Sequence, residues 1–242
     1  CALPIYYQNL IDILKRGYTG LSAENNRRLA DTVSYYTVWV HQIKTPIAAM
    51  KLALQNEDAP AARRLSNELF RIEQYVEMVL TYLRLNADST DYLIKEYDLD
   101  KIIRRSVKKF AGEFIERKLT LSYTPADAQV ITDEKWLSFV IEQVLSNALK
   151  YTPSGEISVY FENGKIVIKD TGIGIAPEDL PRIFENGYTG CNGRRDKQAS
   201  GLGLYLCRQI CENLGHKISA ESAVGEGTTV LIDVSRKKTV IE

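Results

Sequence analysis

The sequence predicts an α plus α/β protein, in which a helical hairpin that pairs into a four-helix bundle precedes a domain of alternating strands and helices. Three observations predict it. From Leu29 the apolar positions Val33, Tyr36, Val40, Ile43, Ile47, Met50 and Leu54 step alternately by four and three residues, a coiled-coil seam held for more than three heptads. Leu65, Leu69, Ile72, Val76, Val79 and Leu83 repeat that spacing after a polar turn containing Asn56, Glu57, Asp58, Ala59 and Pro60. Past Asn86 the periodicity changes to short strand-like runs separated by helical ones.

In chain order, residues 1–21 form an entering segment. Cys1, Ala2, Leu3, Pro4, Ile5, Tyr6 and Tyr7 are apolar and aromatic, with no initiator Met and no basic region of a signal peptide. Two readings fit: a chain that starts just inside a membrane helix, with aromatic residues at the interface, or an ordinary amphipathic helix. Gly17 and Gly20 leave open whether this helix is broken. Residues 22–86 carry both seams. A lone hairpin leaves much of each seam wet, so pairing of two hairpins in a homodimer is expected. Ala87, Asp88, Ser89, Thr90 and Asp91 read as a linker, and 92–242 as the second domain. There, strands are expected near 92–97, 119–124, 129–132, 156–161, 165–170, 216–222 and 228–234, and helices near 99–116, 134–150 and 202–214.

Composition narrows the function classes. Thirty-one basic residues balance thirty-one acidic ones, so no field draws in nucleic acid or an anionic membrane surface. Four cysteines, at positions 1, 191, 207 and 211, lack the density of a secreted disulfide scaffold and favour a reducing compartment, with cytosol the default. Cys207 and Cys211, one helical turn apart with no histidine nearby in sequence, read as small helix residues rather than zinc ligands. No run of about 18 apolar residues exists, so the chain itself carries no spanning helix.

His41, one of two histidines, lies in the stretch Trp39, Val40, His41, Gln42, Ile43, Lys44, Thr45, Pro46, Ile47. It falls one residue past the seam position Val40, and Thr45 lies four further on, which puts both on the outward side of the helix. Pro46 removes an N–H and crowds the carbonyl of Gln42, so a kink beside His41 is expected. Gln143 and Asn147 share one face of the 134–150 helix and offer carboxamide oxygens to a hard cation such as magnesium, while Lys150 can meet phosphate. Asp170, Thr171, Gly172, Ile173, Gly174 ends a strand; a carboxylate there can accept a hydrogen bond from an adenine amino group. Phe184 to Ser200 is rich in Gly, Asn and Arg and reads as a mobile lid, with Arg194, Arg195 and Lys197 as phosphate candidates. Ser200, Gly201, Leu202, Gly203, Leu204 opens a helix whose N-terminus can face phosphates, and Gly225, Glu226, Gly227, Thr228, Thr229 closes the series. Walker and Rossmann patterns are absent. His216 lies outside every box and reads as structural.

This ordered set, from the His41 segment through the Asn147 and Asp170 boxes to Phe184 and Gly201–Gly203, resembles the bacterial two-component sensor histidine kinases across roughly residues 25–235. The second half looks like the GHKL (Bergerat) α/β sandwich, a mixed sheet backed by helices, shared with gyrase-type ATPases. The His41 stretch and Gly187, Tyr188, Thr189, Gly190 look more narrowly like the Bce-type kinases that work with peptide-antibiotic ABC transporters.

The resemblance implies ATP and Mg2+ as cofactors, a response regulator as partner, and residence as the cytoplasmic portion of a bacterial membrane protein. It makes 22–86 the dimerisation and phosphotransfer domain and His41 the nucleophile toward the γ-phosphate. It assigns Asn147 and Gln143 to magnesium, Lys150 and Tyr151 to phosphate and Asp170 to adenine. Gly172, Gly174, Gly201, Leu202, Gly203 and Thr228 shape the pocket, and Thr45 orients water for regulator dephosphorylation. Two departures stand out. The family often has an acidic residue after the histidine, where this chain has Gln42, which can orient the ring but is no useful base. Gln143 stands where an Asn is commoner. A GHKL ATPase needing only the second half, and a scaffold with a decayed site, remain the alternatives.

Overall fold

The computed structural model describes residues 3–54, 59–85, 92–190 and 200–235. The chain divides into two compact units, Cys1–Thr90 and Asp91–Glu242. The expected linker and the residues Arg194, Arg195 and Lys197 lie outside the described residues.

The first unit is a hairpin of α1 (Leu3–Leu54) and α2 (Pro60–Leu85). The helix α1 is continuous through Gly17, around which nothing approaches, and through Pro46, so neither residue ends it. Between the two helices Val40, Val76 and Leu80 are buried together, with Ile43 packed against them. Ile47 and Leu69 are buried as well, whereas the seam positions Tyr36, Met50, Leu65, Ile72 and Val79 stay exposed. One hairpin thus covers about every second seam position, the geometry of a half-assembled bundle. Lys44 pairs with Glu77 and Lys51 with Glu73 across the hairpin, and these partly exposed pairs set register more than stability.

The second unit holds a five-stranded mixed sheet in the order β2-β4-β5-β7-β6 and a two-stranded ribbon β1-β3. The strands are β1 (Lys95–Asp98), β2 (Thr120–Tyr123), β3 (Gln129–Thr132), β4 (Glu156–Glu162), β5 (Lys165–Asp170), β6 (Lys217–Ala223) and β7 (Gly227–Asp233). Among the described residues β2 and β4 pair in parallel, and β4, β5, β7 and β6 are antiparallel neighbours. Among the described residues the unit also holds the helices α3 (Leu99–Lys109), α4 (Ala111–Arg117), α5 (Glu134–Tyr151) and α6 (Gly203–Asn213), with a short 3-10 turn at Leu180–Arg182. Leu137, Ile141, Leu145, Leu149 and Leu206 of α5 and α6, together with Ile157, Ile166 and Ile168 of the sheet, are wholly buried in its core.

A single helix over 99–116 was the sequence expectation, and the chain instead breaks it at Phe110. Phe110 is buried and caps α3 with φ −97° and ψ 3°, while Lys118 in the left-handed region ends α4. Sinking the phenyl ring into the core outweighs one continued helical turn. At the start of α5, Asp133 accepts from the backbone of Lys135 and Trp136 as N-cap, and its second oxygen takes the N–H of Leu93. His216 is buried and meets the Thr132 hydroxyl at 3.0 Å, tying the start of β6 to β3.

Candidate functional site

The candidate nucleotide site is built where β5 ends, at the C-terminal end of α5. Asp170 closes β5, buried, and its Oδ1 accepts from the Gly172 N–H (2.9 Å) and the Thr228 N–H (3.2 Å). Burial pushes the Asp170 carboxyl upward from its ordinary pKa, opposed by these two backbone donors and by the Thr152 hydroxyl. Gly172 has no room for a side chain: a Cβ there would stand 2.3 Å from the Tyr151 carbonyl, 2.8 Å from Asp170 Oδ1 and 2.9 Å from Thr152 Oγ1. Gly174, with φ +69°, lies on the Ala223 carbonyl, and Gly227, with φ +105°, on the Asp170 carbonyl. The glycine boxes at 172–174 and 225–227 are therefore two sides of one close backbone approach around the Asp170 carboxylate.

The last turns of α5 bring Gln143, Asn147, Lys150 and Tyr151 to the same end of the helix, all half-buried. Lys150 Nζ stands 5.2 Å from the centre of the Tyr151 ring. Across from α5, α6 starts at Gly203, and the Gln143 carboxamide lies on it: a Cβ on Gly203 would be 2.4 Å from Gln143 Nε2. Gly201, with φ +68°, packs on the Gly187 backbone and its carbonyl accepts the Gly187 N–H at 3.1 Å. Gly187 leads into Tyr188, whose hydroxyl donates to the buried Asp179 carboxylate and whose ring carries the Arg182 guanidinium at 4.2 Å.

Two contributors carried no role in the sequence reading. Thr152, the C-cap of α5, is buried, and its Oγ1 borders the Gly172 cradle beside the Asp170 carboxylate. Ser222 takes the Ile175 N–H at 2.8 Å, donates to the Gly227 carbonyl at 2.7 Å and meets Thr228 Oγ1 at 3.0 Å, which knots both glycine boxes to β6. Thr152 directly follows Tyr151 in the sequence, so its place next to the site was readable; Ser222 sits in an ordinary alternating strand and gave no signal.

These groups fit an adenine nucleotide. A buried carboxylate beside a buried hydroxyl suits the donor and acceptor edge of a purine, and the close glycine backbone admits a flat ring. They also fit magnesium on the terms that ion accepts. Among the described residues no group of three His, Cys, Asp or Glu could hold a metal. The amide oxygens of Asn147 and Gln143 would serve as one or two protein ligands to an ion whose other positions go to phosphate and water.

In the first unit His41 and Gln42 are exposed, between the buried Val40 and Ile47. The Thr45 hydroxyl donates to the His41 carbonyl at 3.0 Å, and Pro46 offers no N–H to the Gln42 carbonyl, so the turn after His41 has an irregular hydrogen-bond pattern. Cys207 and Cys211 are buried, the former with its thiol 3.9 Å from the Val140 carbonyl of α5.

Comparison with known proteins identifies the family. Residues 132–238 match the family described as the histidine kinase-, DNA gyrase B- and HSP90-like ATPases. The sensor histidine kinase YxdK of Bacillus subtilis is 33% identical over 231 residues, covering 93% of this chain and 71% of that protein. The sensor histidine kinase GraS of Staphylococcus epidermidis is 35% identical over 251 residues, covering 98% and 71%. The chain belongs to the bacterial two-component sensor histidine kinases. The sensor protein BceS of Halalkalibacterium halodurans is 35% identical over 196 residues, covering 79% of this kinase and 59% of BceS. Among solved structures, full-length ShkA in complex with AMPPNP superposes with a TM-score of 0.57 at 20% identity over 82% of this kinase and 45% of that chain. The Acinetobacter baumannii histidine kinase AdeS gives 0.51 at 21% identity, over 81% and 98%. Those two likenesses concern the fold. The ATPase domain makes ATP binding a property of this kinase's second unit. Sensor histidine kinases as a class dimerise and act on response regulators. Among the described residues no helix is long and apolar enough to cross a membrane.

Proposed function

We propose that this kinase moves the γ-phosphoryl group of ATP onto an imidazole nitrogen of His41 and from there onto an aspartate of a response regulator. The observation that carries the reading is an exposed His41 on a helix whose flanking seam residues are buried, in the same chain as the Asp170 cradle. Neutral His41 attacks the γ-phosphorus; an N–P bond forms, the P–O bond to ADP breaks, and the imidazole proton is released. Gln42 orients the ring without accepting that proton, which leaves to the solvent that bathes this exposed turn. Asp170 takes the adenine amino group with Thr152 beside it, and Gly172, Gly174 and Thr228 shape the base pocket. Lys150 and Tyr151 contact phosphate, and Gly201, Leu202 and Gly203 present the N-terminus of α6 to it. Asn147, with Gln143 one turn earlier, would hold magnesium, which would supply positive charge to the phosphates.

The same reading makes residues 22–86 the dimerisation and phosphotransfer domain and 92–242 the catalytic domain. Residues 1–21 would be a membrane-proximal entry on the cytoplasmic side, coupled through upstream segments to an ABC transporter. The exposed seam positions Tyr36, Met50, Leu65, Ile72 and Val79 would be covered by the partner hairpin in a homodimer. Incubation with γ-labelled ATP and magnesium, beside His41→Ala, tests the proposal. Acid-labile, alkali-stable label that the variant loses supports phosphohistidine at His41. Absence of label from a chain that binds ATP overturns it.

A further inference from the structure

The contact between Gln143 and Gly203 does work that neither residue type announces. Helices α5 and α6 pack in layers: the Cys207 thiol reaches the Val140 carbonyl, and one layer on, the Gln143 carboxamide lies against Gly203, the first residue of α6. Going up α5 by three residues thus goes down α6 by four, so the helices run antiparallel and α6 ends at the Gln143 layer. Asn147, one turn further along α5, stands past the start of α6, where that helix leaves its first N–H groups open. Gln143 is the final rung of the α5–α6 contact before the nucleotide cleft.

The rung has little slack. A Cβ on Gly203 would fall 2.4 Å from Nε2, 2.8 Å from Cδ and 3.2 Å from Cγ of Gln143, so the carboxamide lies flat on the bare Cα. On another side, Gly201 is held against the backbone of Gly187, where a Cβ would meet the Gly187 carbonyl carbon at 2.4 Å. Gly187 in turn precedes Tyr188, which is tied to the buried Asp179. The first residues of α6 therefore sit between a backbone stop and the Gln143 side chain. A longer amide than Asn reaches Gly203; the absence of a side chain at Gly203 lets it do so.

We propose that Gln143 is a positioning residue whose carboxamide acts as a spacer on Gly203, setting how far the phosphate-binding start of α6 stands from Asn147. This rests on the reading of the α6 N-terminus as a phosphate site and adds the element that sets its distance. The amide nitrogen edge faces Gly203, which leaves the oxygen edge for a cation, so spacing and metal contact are separable in experiment.

The test is a double-variant cycle on the whole chain, read by titration with ATP and magnesium and by steady-state KM and kcat. Gln143→Ala withdraws the spacer; Gly203→Ala, at a residue whose backbone suits an L side chain, displaces it; the pair together replaces carboxamide by methyl. Each single variant is expected to weaken ATP affinity and raise KM. The double variant is expected to bind at least about threefold more tightly than the product of the single effects. Gly201→Ala serves as contrast: its clash is with backbone, so Gln143→Ala gives it no relief. Additive behaviour at Gln143 and Gly203, within about twofold, overturns the proposal. So does a Gln143→Ala variant whose only change is a higher magnesium requirement, since Gln143 would then act through the cation alone. A wild-type chain that fails to bind ATP in the first titration refutes the underlying nucleotide site, a separate failure from loss of coupling.

Discussion

Asp170 offers a test in which ligand binding and fold stability move in opposite directions. Its Oδ1 already accepts the N–H groups of Gly172 and Thr228, at 2.9 and 3.2 Å, which leaves Oδ2 for the adenine amino group. In Asp170→Asn those two backbone donors hold the amide oxygen in the Oδ1 place, so the new NH2 group points at the ligand's own NH2. The lost interaction is a hydrogen bond to a charged acceptor, about 1.5–3 kcal/mol, which is roughly a 10- to 150-fold rise in Kd. Stability should not follow. Burial raises the Asp170 pKa in the folded chain, so the folded state holds the proton more tightly than the unfolded one. Folding is therefore favoured by this group below the unfolded pKa, and that advantage disappears as pH rises through the folded value. At neutral pH the charge is a net burden, and the neutral Asn variant should melt at or slightly above the wild-type temperature without nucleotide. Asp170→Ala differs, because it leaves two buried N–H groups without an acceptor, at about 1–3 kcal/mol each, so its Tm should fall by at least about 4 °C. Fluorescent-nucleotide titration and thermal melts of the three proteins decide the matter. Wild-type ATP affinity in Asp170→Asn, or an Asn variant melting as low as the Ala variant, would refute the reasoning.

The hairpin gives a complementary result: Leu80→Ala, in the cluster with Val40 and Val76, should cost about 2–5 kcal/mol of hairpin stability and reduce His41 labelling, while ATP titration of the second unit stays unchanged. Circular dichroism melts beside the titration check it. Thr45→Ala should slow dephosphorylation of the response regulator at least about tenfold with His41 labelling within twofold, measured with phosphorylated regulator, since the removed hydroxyl is the one anchored on the His41 carbonyl. Burial raises the Cys207 thiol and pushes Cys211 up to about 12, so peptide mapping after maleimide treatment of the native chain at pH 8 should find neither modified, and both modified in denaturant.

What could be read from the sequence was what local periodicity encodes. The four-and-three stepping of Val40, Ile43 and Ile47 places His41 one residue off the seam, and an exposed His41 follows from helix geometry alone. The strand runs that end at Asp170 and resume at Gly227 are each a few residues long and carry their own alternation and turn residues, so their placement needed no partner. The break at Phe110 was not legible, because the helical pattern continues across it and the gain comes from a ring entering a core assembled by distant segments.

Only the tertiary structure decided which seam residues one hairpin covers, burying Val40, Ile47, Leu69 and Val76 and leaving Tyr36, Met50, Ile72 and Val79 open. Heptad spacing is the same at both sets; the difference lies in which side the other helix occupies. The roles of Thr152, Ser222 and the Gln143 spacer likewise come from contacts between segments far apart in the chain, such as Ser222 with Ile175 and Gln143 with Gly203. A residue's own neighbours in sequence specify its backbone and its face. Which atoms that face meets is set when the chain closes on itself, and in this kinase the nucleotide cleft is made of such meetings.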